Sequence, residues 1–164
     1  MVVFVSRRRN MTRDPVDRET RIQAEIERLQ TCGGDYARLD AERDCKRQAW
    51  WDKHGSKLAL SGPLPRQAYE LLIVHYIGLD PAEVPVVYED ERRIVWRSFN
   101  FCSTLEACRR LGLDTRVVCR VGSHNSVQRL IAHLDPRLHF ERNYATGMRP
   151  YAGYCEESVE LIES

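Results

Sequence analysis

Three cysteines fall within eighteen residues of one another in the stretch NFCSTLEACRRLGLDTRVVC: Cys102, Cys108 and Cys119. A thiol can act as a nucleophile, ligate a metal or simply fill apolar space, and its local setting separates these uses. Cys102 stands directly before STLE, where Ser103 and Glu106 have capping-box spacing, so a helix is expected to begin there. A thiol at a helix N-terminus meets the positive end of the helix dipole, which lowers its pKa and suits it to nucleophilic attack or metal binding. Nucleophile, metal ligand and packing all stay open for Cys102. Cys108 shares a helix face with Leu105 and Leu111 and reads as packing, as do Cys32 and Cys45, which have no partner motif nearby. Cys119 and Cys155 are judged with Cys102. Sixteen residues separate Cys102 from Cys119 and 35 separate Cys119 from Cys155, without a Cys-x-x-Cys or paired-histidine knuckle, so a zinc site requires convergence in space. Should they converge, Cys102, Cys119 and Cys155 with Glu106, Glu156 or His124 would make a tetrahedral zinc set.

Other signatures of chemistry are absent. The chain has no phosphate-binding P-loop, no dinucleotide-binding glycine fingerprint, no H-E-x-x-H and no G-x-S-x-G. His75, in an apolar helix, and His133, on a polar helix face, read as structural or solvated. Lys and Arg number 25 against 24 Asp and Glu, a formal charge of +1 that gives no reason to expect a nucleic-acid partner. No apolar run approaches the roughly 18 residues of a membrane span, and the opening MVVFVSRRRN has its basic cluster on the wrong side for a secretory signal. A cytoplasmic location is therefore expected, with the six cysteines reduced. Met11 is expected to be the natural start, with residues 1–15 a disordered extension and 16–164 one globular domain.

The elements that must position these thiols follow from periodicity. Ile22, Ile26 and Leu29 mark an amphipathic helix ended by Gly33 and Gly34, and Asp35 can cap a second, charged helix that runs to Gly55 past Leu39, Trp50 and Trp51. Pro65 opens a third helix with Tyr69, Leu72, Ile73 and Tyr76 on one face, the best core candidate. The segment VPVVYEDERRIVWRSFNF reads as a hairpin in which Trp96, Ser98 and Asn100 alternate with Val95, Arg97 and Phe99. Two further short helices follow the one after Cys102, the last carrying Val127, Leu130, Ile131 and Leu134, and RLHFERNY then alternates as a strand. The closing YAGYCEESVELIE is either a returning strand or a short helix. The expected class is α+β, with N-terminal helices packed on a small antiparallel sheet interspersed with short helices. Trp50, Trp51 and Trp96 are expected in the core rather than on a partner surface.

The order NFC at 100–102, LEACRRLGLD at 105–114, VVC ending at Cys119, LDPRLHFERN at 134–143, then TG and YCEE at 154–157 resembles the C-terminal half of the L-2-amino-thiazoline-4-carboxylic acid hydrolase family. More distantly, it is similar to 4-vinyl-reductase-type ligand-binding domains. The resemblance covers about residues 95 to 160; this chain has Ser103 where the family often has proline, and Glu157 where it usually has an aromatic. It implies a hydrolase that opens a small cyclic amidine, with Cys102 as nucleophile or metal ligand, Glu106 or Glu156 as acid or base, and Arg142 or Arg149 receiving the substrate carboxylate. The vinyl-reductase likeness implies instead a non-catalytic small-molecule-binding domain whose cysteines Cys102, Cys119 and Cys155 hold a structural zinc. In either case the partner is a small molecule, not nucleic acid or membrane, and a homo-oligomer is left open.

Overall fold

The computed structural model describes residues 15–163. The expected extension and the proposed start at Met11 lie outside the described residues, apart from Pro15, which already opens the first helix. Six helices and four strands follow in the order α1 (Pro15–Cys32), α2 (Tyr36–His54), α3 (Leu64–Tyr69), β1 (Val86–Glu89), β2 (Arg93–Ser98), α4 (Ser103–Leu111), α5 (Thr115–Gly122), α6 (His124–Ala132), β3 (Leu138–Arg142) and β4 (Cys155–Leu161). The class is α+β, and the four strands form one antiparallel sheet in the order β1-β2-β4-β3.

The signals of the first two helices act where the sequence placed them. Asp35 caps α2 by accepting from the Arg38 N–H at 3.2 Å, and α1 buries Ile22 and Leu29. The third helix departs from the regular pattern: after Tyr69 it widens into a π-helix, Glu70–Ile77, that ends at Gly78 in the left-handed conformation (φ 76°), which glycine adopts without strain. The closing segment is a strand. Its register sets Glu157 between Trp96 and Arg142, and Val159 between Ile94 and Phe140, so these residues share the inner face of the sheet.

Two apolar clusters lie under the helices. The larger joins Leu71, Leu72 and Ile73 to Trp96, Phe140 and Val159 of the sheet and to Val127, Leu130 and Ile131 of α6. The smaller ties Leu29, Leu39, Ala107, Cys108 and Val118 together across α1, α2, α4 and α5. Trp96 is fully buried, while Trp50 and Trp51 pack half-buried against the larger cluster, Trp51 stacking on His133 at 4.8 Å between ring centres. Cys108 is buried as expected. Cys45 is not: it lies on the solvent side of α2, a helix that buries little beyond Leu39 and Asp40, and it is exposed. None of the helices among the described residues is long and apolar enough to cross a membrane.

Candidate functional site

The end of the sheet nearest α4 and α5 holds a cavity of about 210 Å³ lined by Cys102, Cys119 and Cys155, by Arg21, Arg142 and Arg149, and by Glu157. Distant parts of the chain supply these groups. Cys102 is the residue before α4, Cys119 comes from α5, Cys155 opens β4, and Arg149 comes from the loop between β3 and β4. Ile73 and Ile77 of the π-helix, with Leu79 and Met148, close the apolar side. A π-turn shifts side chains relative to a regular helix and is frequent at functional sites.

The β3-β4 loop is fixed by short contacts. The Asn143 N–H donates to the Glu156 carbonyl at 2.9 Å, and the Glu156 N–H donates to the Gly147 carbonyl at 2.8 Å. A side chain at Gly147 would bring its Cβ to 3.0 Å from that of Glu156, so the two arms of the turn close only around glycine. Farther along, the Thr115 hydroxyl donates to the Arg149 carbonyl at 2.7 Å, tying the loop to α5. Arg149 is thereby held with Nη1 on the Asn100 carbonyl at 2.7 Å and Nε donating to the Cys155 sulfur at 3.4 Å.

Arg142 and Glu157 form the base. Arg142 Nε donates to Glu157 at 2.6 Å, and Nη1 donates to the Ser123 hydroxyl at 2.9 Å and the Cys119 carbonyl at 3.4 Å. The other Glu157 oxygen accepts from the Trp96 indole N–H at 2.8 Å. Both carboxylate oxygens are therefore engaged, and Glu157 serves as a counter-ion more than as a proton carrier.

Several expected roles change. The capping box does not form: Cys102 is itself the cap, its carbonyl accepting from the Glu106 N–H at 3.2 Å, and Ser103 is the first helical residue. Burial pushes the Cys102 thiol up, and the Leu105 and Thr104 N–H groups and Arg149 only partly offset this. Desolvation outweighs the helix dipole, opposite to the sequence expectation. Glu106 pairs with Arg109 at 3.5 Å and does not line the cavity. Glu156 points to the other face of the sheet, where it pairs with Arg97 at 2.9 Å. Glu157, not singled out in the sequence, is the carboxylate that faces the thiols. Its parity with Val159 along β4 was the available signal, usable only once the segment is known to be a strand. His124 lies on a separate groove of about 500 Å³, bonded to the Tyr144 hydroxyl at 2.8 Å. Burial, and then Arg142, hold its imidazole below the ordinary histidine value.

The residues do not fit zinc. Among the described residues no group of three His, Cys, Asp or Glu side chains is placed to hold a metal ion. Arg142 and Arg149 line the same cavity as the sulfurs, and Arg149 donates to Cys155 itself, so a divalent cation would meet positive charge.

The shifted thiols carry a pH dependence. Burial raises both Cys108 and Cys119 from 9.0 to about 12. Below pH 9 both residues are protonated in the folded and unfolded chain; between pH 9 and 12 the unfolded chain loses these protons first, and stability falls as pH rises. Denaturant unfolding of Cys119→Ala across that window is expected to show a smaller alkaline loss than the parent protein. Equal losses would show that Cys119 is not held protonated by the fold.

No family model, curated protein or solved structure matches this chain.

Proposed function

We propose that the cavity binds a small cyclic amidine bearing a carboxylate, such as a thiazoline carboxylate, and opens its ring by hydrolysis. The observation that supports this reading is the Arg149 Nε contact to the Cys155 sulfur at 3.4 Å, inside a cavity sized for a small molecule. A cation touching the sulfur is the setting in which a cysteine acts as a nucleophile. Cys155 thus takes the role that the resemblance gave to Cys102. Burial raises the Cys102 and Cys119 thiols, so both stay neutral beside Cys155.

In this reaction the Cys155 sulfur attacks C2 of the ring and forms a new C–S bond while the ring C–S bond breaks. The proton given up by Cys155 ends on the departing ring sulfur. Water then adds to the same carbon and expels the Cys155 sulfur with its proton restored, leaving an N-carbamoyl amino acid with a free thiol. The sum is the addition of one water. The chemistry needs reduced cysteines, and the cytoplasm is the compartment that keeps them so.

The test is incubation of reduced protein with 2-amino-thiazoline-4-carboxylate, with the N-carbamoyl product followed by mass spectrometry. Turnover is expected in the parent protein and absent in Cys155→Ala. Wild-type turnover in Cys155→Ala would overturn the assignment of the nucleophile. Binding without any product would move the chain to the non-catalytic small-molecule-binding class.

A further inference from the structure

We propose that Arg21 of α1 receives the substrate carboxylate; the reaction it serves rests on the hydrolase reading above, while the site itself rests on the charge arrangement. Three guanidinium groups line the cavity. Arg142 is neutralised by Glu157 and further engaged by Ser123 and the Cys119 carbonyl. Arg149 is committed to the Cys155 sulfur and the Asn100 carbonyl. These are the two arginines to which the resemblance assigned the carboxylate, and both already hold something else.

Arg21 is differently placed. It is half-buried, and its guanidinium lies over the Phe101 ring at 5.4 Å from the centroid. Among the described residues, no carboxylate lies within ion-pair distance of it. A guanidinium over an aromatic face can still present an N–H edge to a carboxylate, which meets it with two parallel hydrogen bonds. Arg18, one turn earlier on α1, lies over the same ring at 5.0 Å. Phe101 sits between Asn100, which holds Arg149, and Cys102, which caps α4. The carboxylate site and the sulfur site are therefore joined through one three-residue segment, Asn100 to Cys102.

The charge count limits the ligand. Arg142 is balanced by Glu157, whereas Arg149 and Arg21 have no carboxylate partner among the described residues, so the lining matches an anionic ligand.

Calorimetric titration with thiazolidine-4-carboxylate, a saturated ring with no amidine carbon to attack, tests this without turnover. Binding to the parent protein is expected to weaken about 10- to 100-fold in Arg21→Gln, the range for losing a charge-assisted pair, and less in Arg21→Lys. The corresponding carboxamide is expected to bind both proteins alike. In turnover, Arg21→Gln should raise KM and leave kcat near the parent value, whereas Arg149→Gln should lower kcat. Parent-like binding of the carboxylate by Arg21→Gln, or no binding by the parent protein, overturns the proposal. If the probe binds through Arg21 and no cyclic amidine is turned over, the anion site stands and the hydrolase reading falls. If turnover occurs and Arg21→Gln is indifferent to it, the reverse holds. An unchanged melting temperature confirms that Arg21→Gln is folded.

Discussion

Glu157→Gln is expected to lower the stability of the fold by about 3–5 kcal/mol, the cost of removing one member of a buried ion pair. Its carboxylate and the Arg142 guanidinium are only 10% and 15% exposed, so water cannot replace either partner. Burial works against the Arg142 charge, yet Glu157 together with Cys119 and Tyr144 outweighs burial and holds the guanidinium above its ordinary value. Glutamine preserves the shape and can still accept from Trp96, but it removes the charge that Arg142 was buried against. The guanidinium would then keep only neutral partners: the Ser123 hydroxyl, the Cys119 carbonyl and the Tyr144 hydroxyl. Denaturant unfolding at neutral pH measures the loss, and a cost below about 1 kcal/mol would mean that those neutral acceptors suffice. Replacing both partners with methionine should cost much less than either single change, because the desolvation penalty disappears with the pair.

Glu25→Ala is expected to cost a similar amount, about 3–5 kcal/mol, for a related reason at a different place. Glu25 lies on α1 but is 2% exposed, because α2 and α4 close over it. It pairs with Arg43 of α2, accepts from the Thr104 hydroxyl of α4 at 2.8 Å, and pairs with Arg28 at 2.8 Å. Arg43 also donates to the Gly122 carbonyl at the end of α5, at 2.9 Å, so one carboxylate organises four helices. Burial raises its pKa, but Arg43, Thr104 and Arg28 together outweigh burial and hold it below 4.5. A folded-state pKa below the unfolded value means that this contribution is present at neutral pH and is lost as pH falls below about 4.5. Comparing unfolding of the parent and Glu25→Ala at pH 7 and pH 3 checks the sign: the difference should shrink in acid. A difference that stays constant would trace the loss to packing alone. Because α1 carries Arg21 and Cys102 caps α4, the same substitution should also loosen one wall of the cavity.

Much of the scaffold was legible in the order of residues. Ile22, Ile26 and Leu29 at helical spacing, Asp35 at a cap, and Trp96 and Ser98 alternating against Val95 and Arg97 each express a local rule. Such rules depend on residues within a turn or a strand pair of one another. The gathering of Cys102, Cys119 and Cys155 was only conditional in the sequence, since their spacing carries no recognised ligand motif. Helix α5 and the antiparallel return of β4 bring them to one cavity.

The sequence by itself determined the α+β class, most element positions and which thiols were worth following. The tertiary structure decided what those thiols can do. The helix dipole at Cys102 is a local effect visible in the chain order, but the desolvation that overrides it comes from the elements packed around the sulfur. Glu156 and Glu157 are adjacent and chemically alike, yet strand pairing sends one to Arg97 on the outer face and the other to Arg142 in the interior. Arg149 meets Cys155 on a loop that Thr115, 34 residues away, helps to pin. Local pattern fixes backbone periodicity; burial and charge pairing are sums over distant neighbours, and only the folded chain sets them.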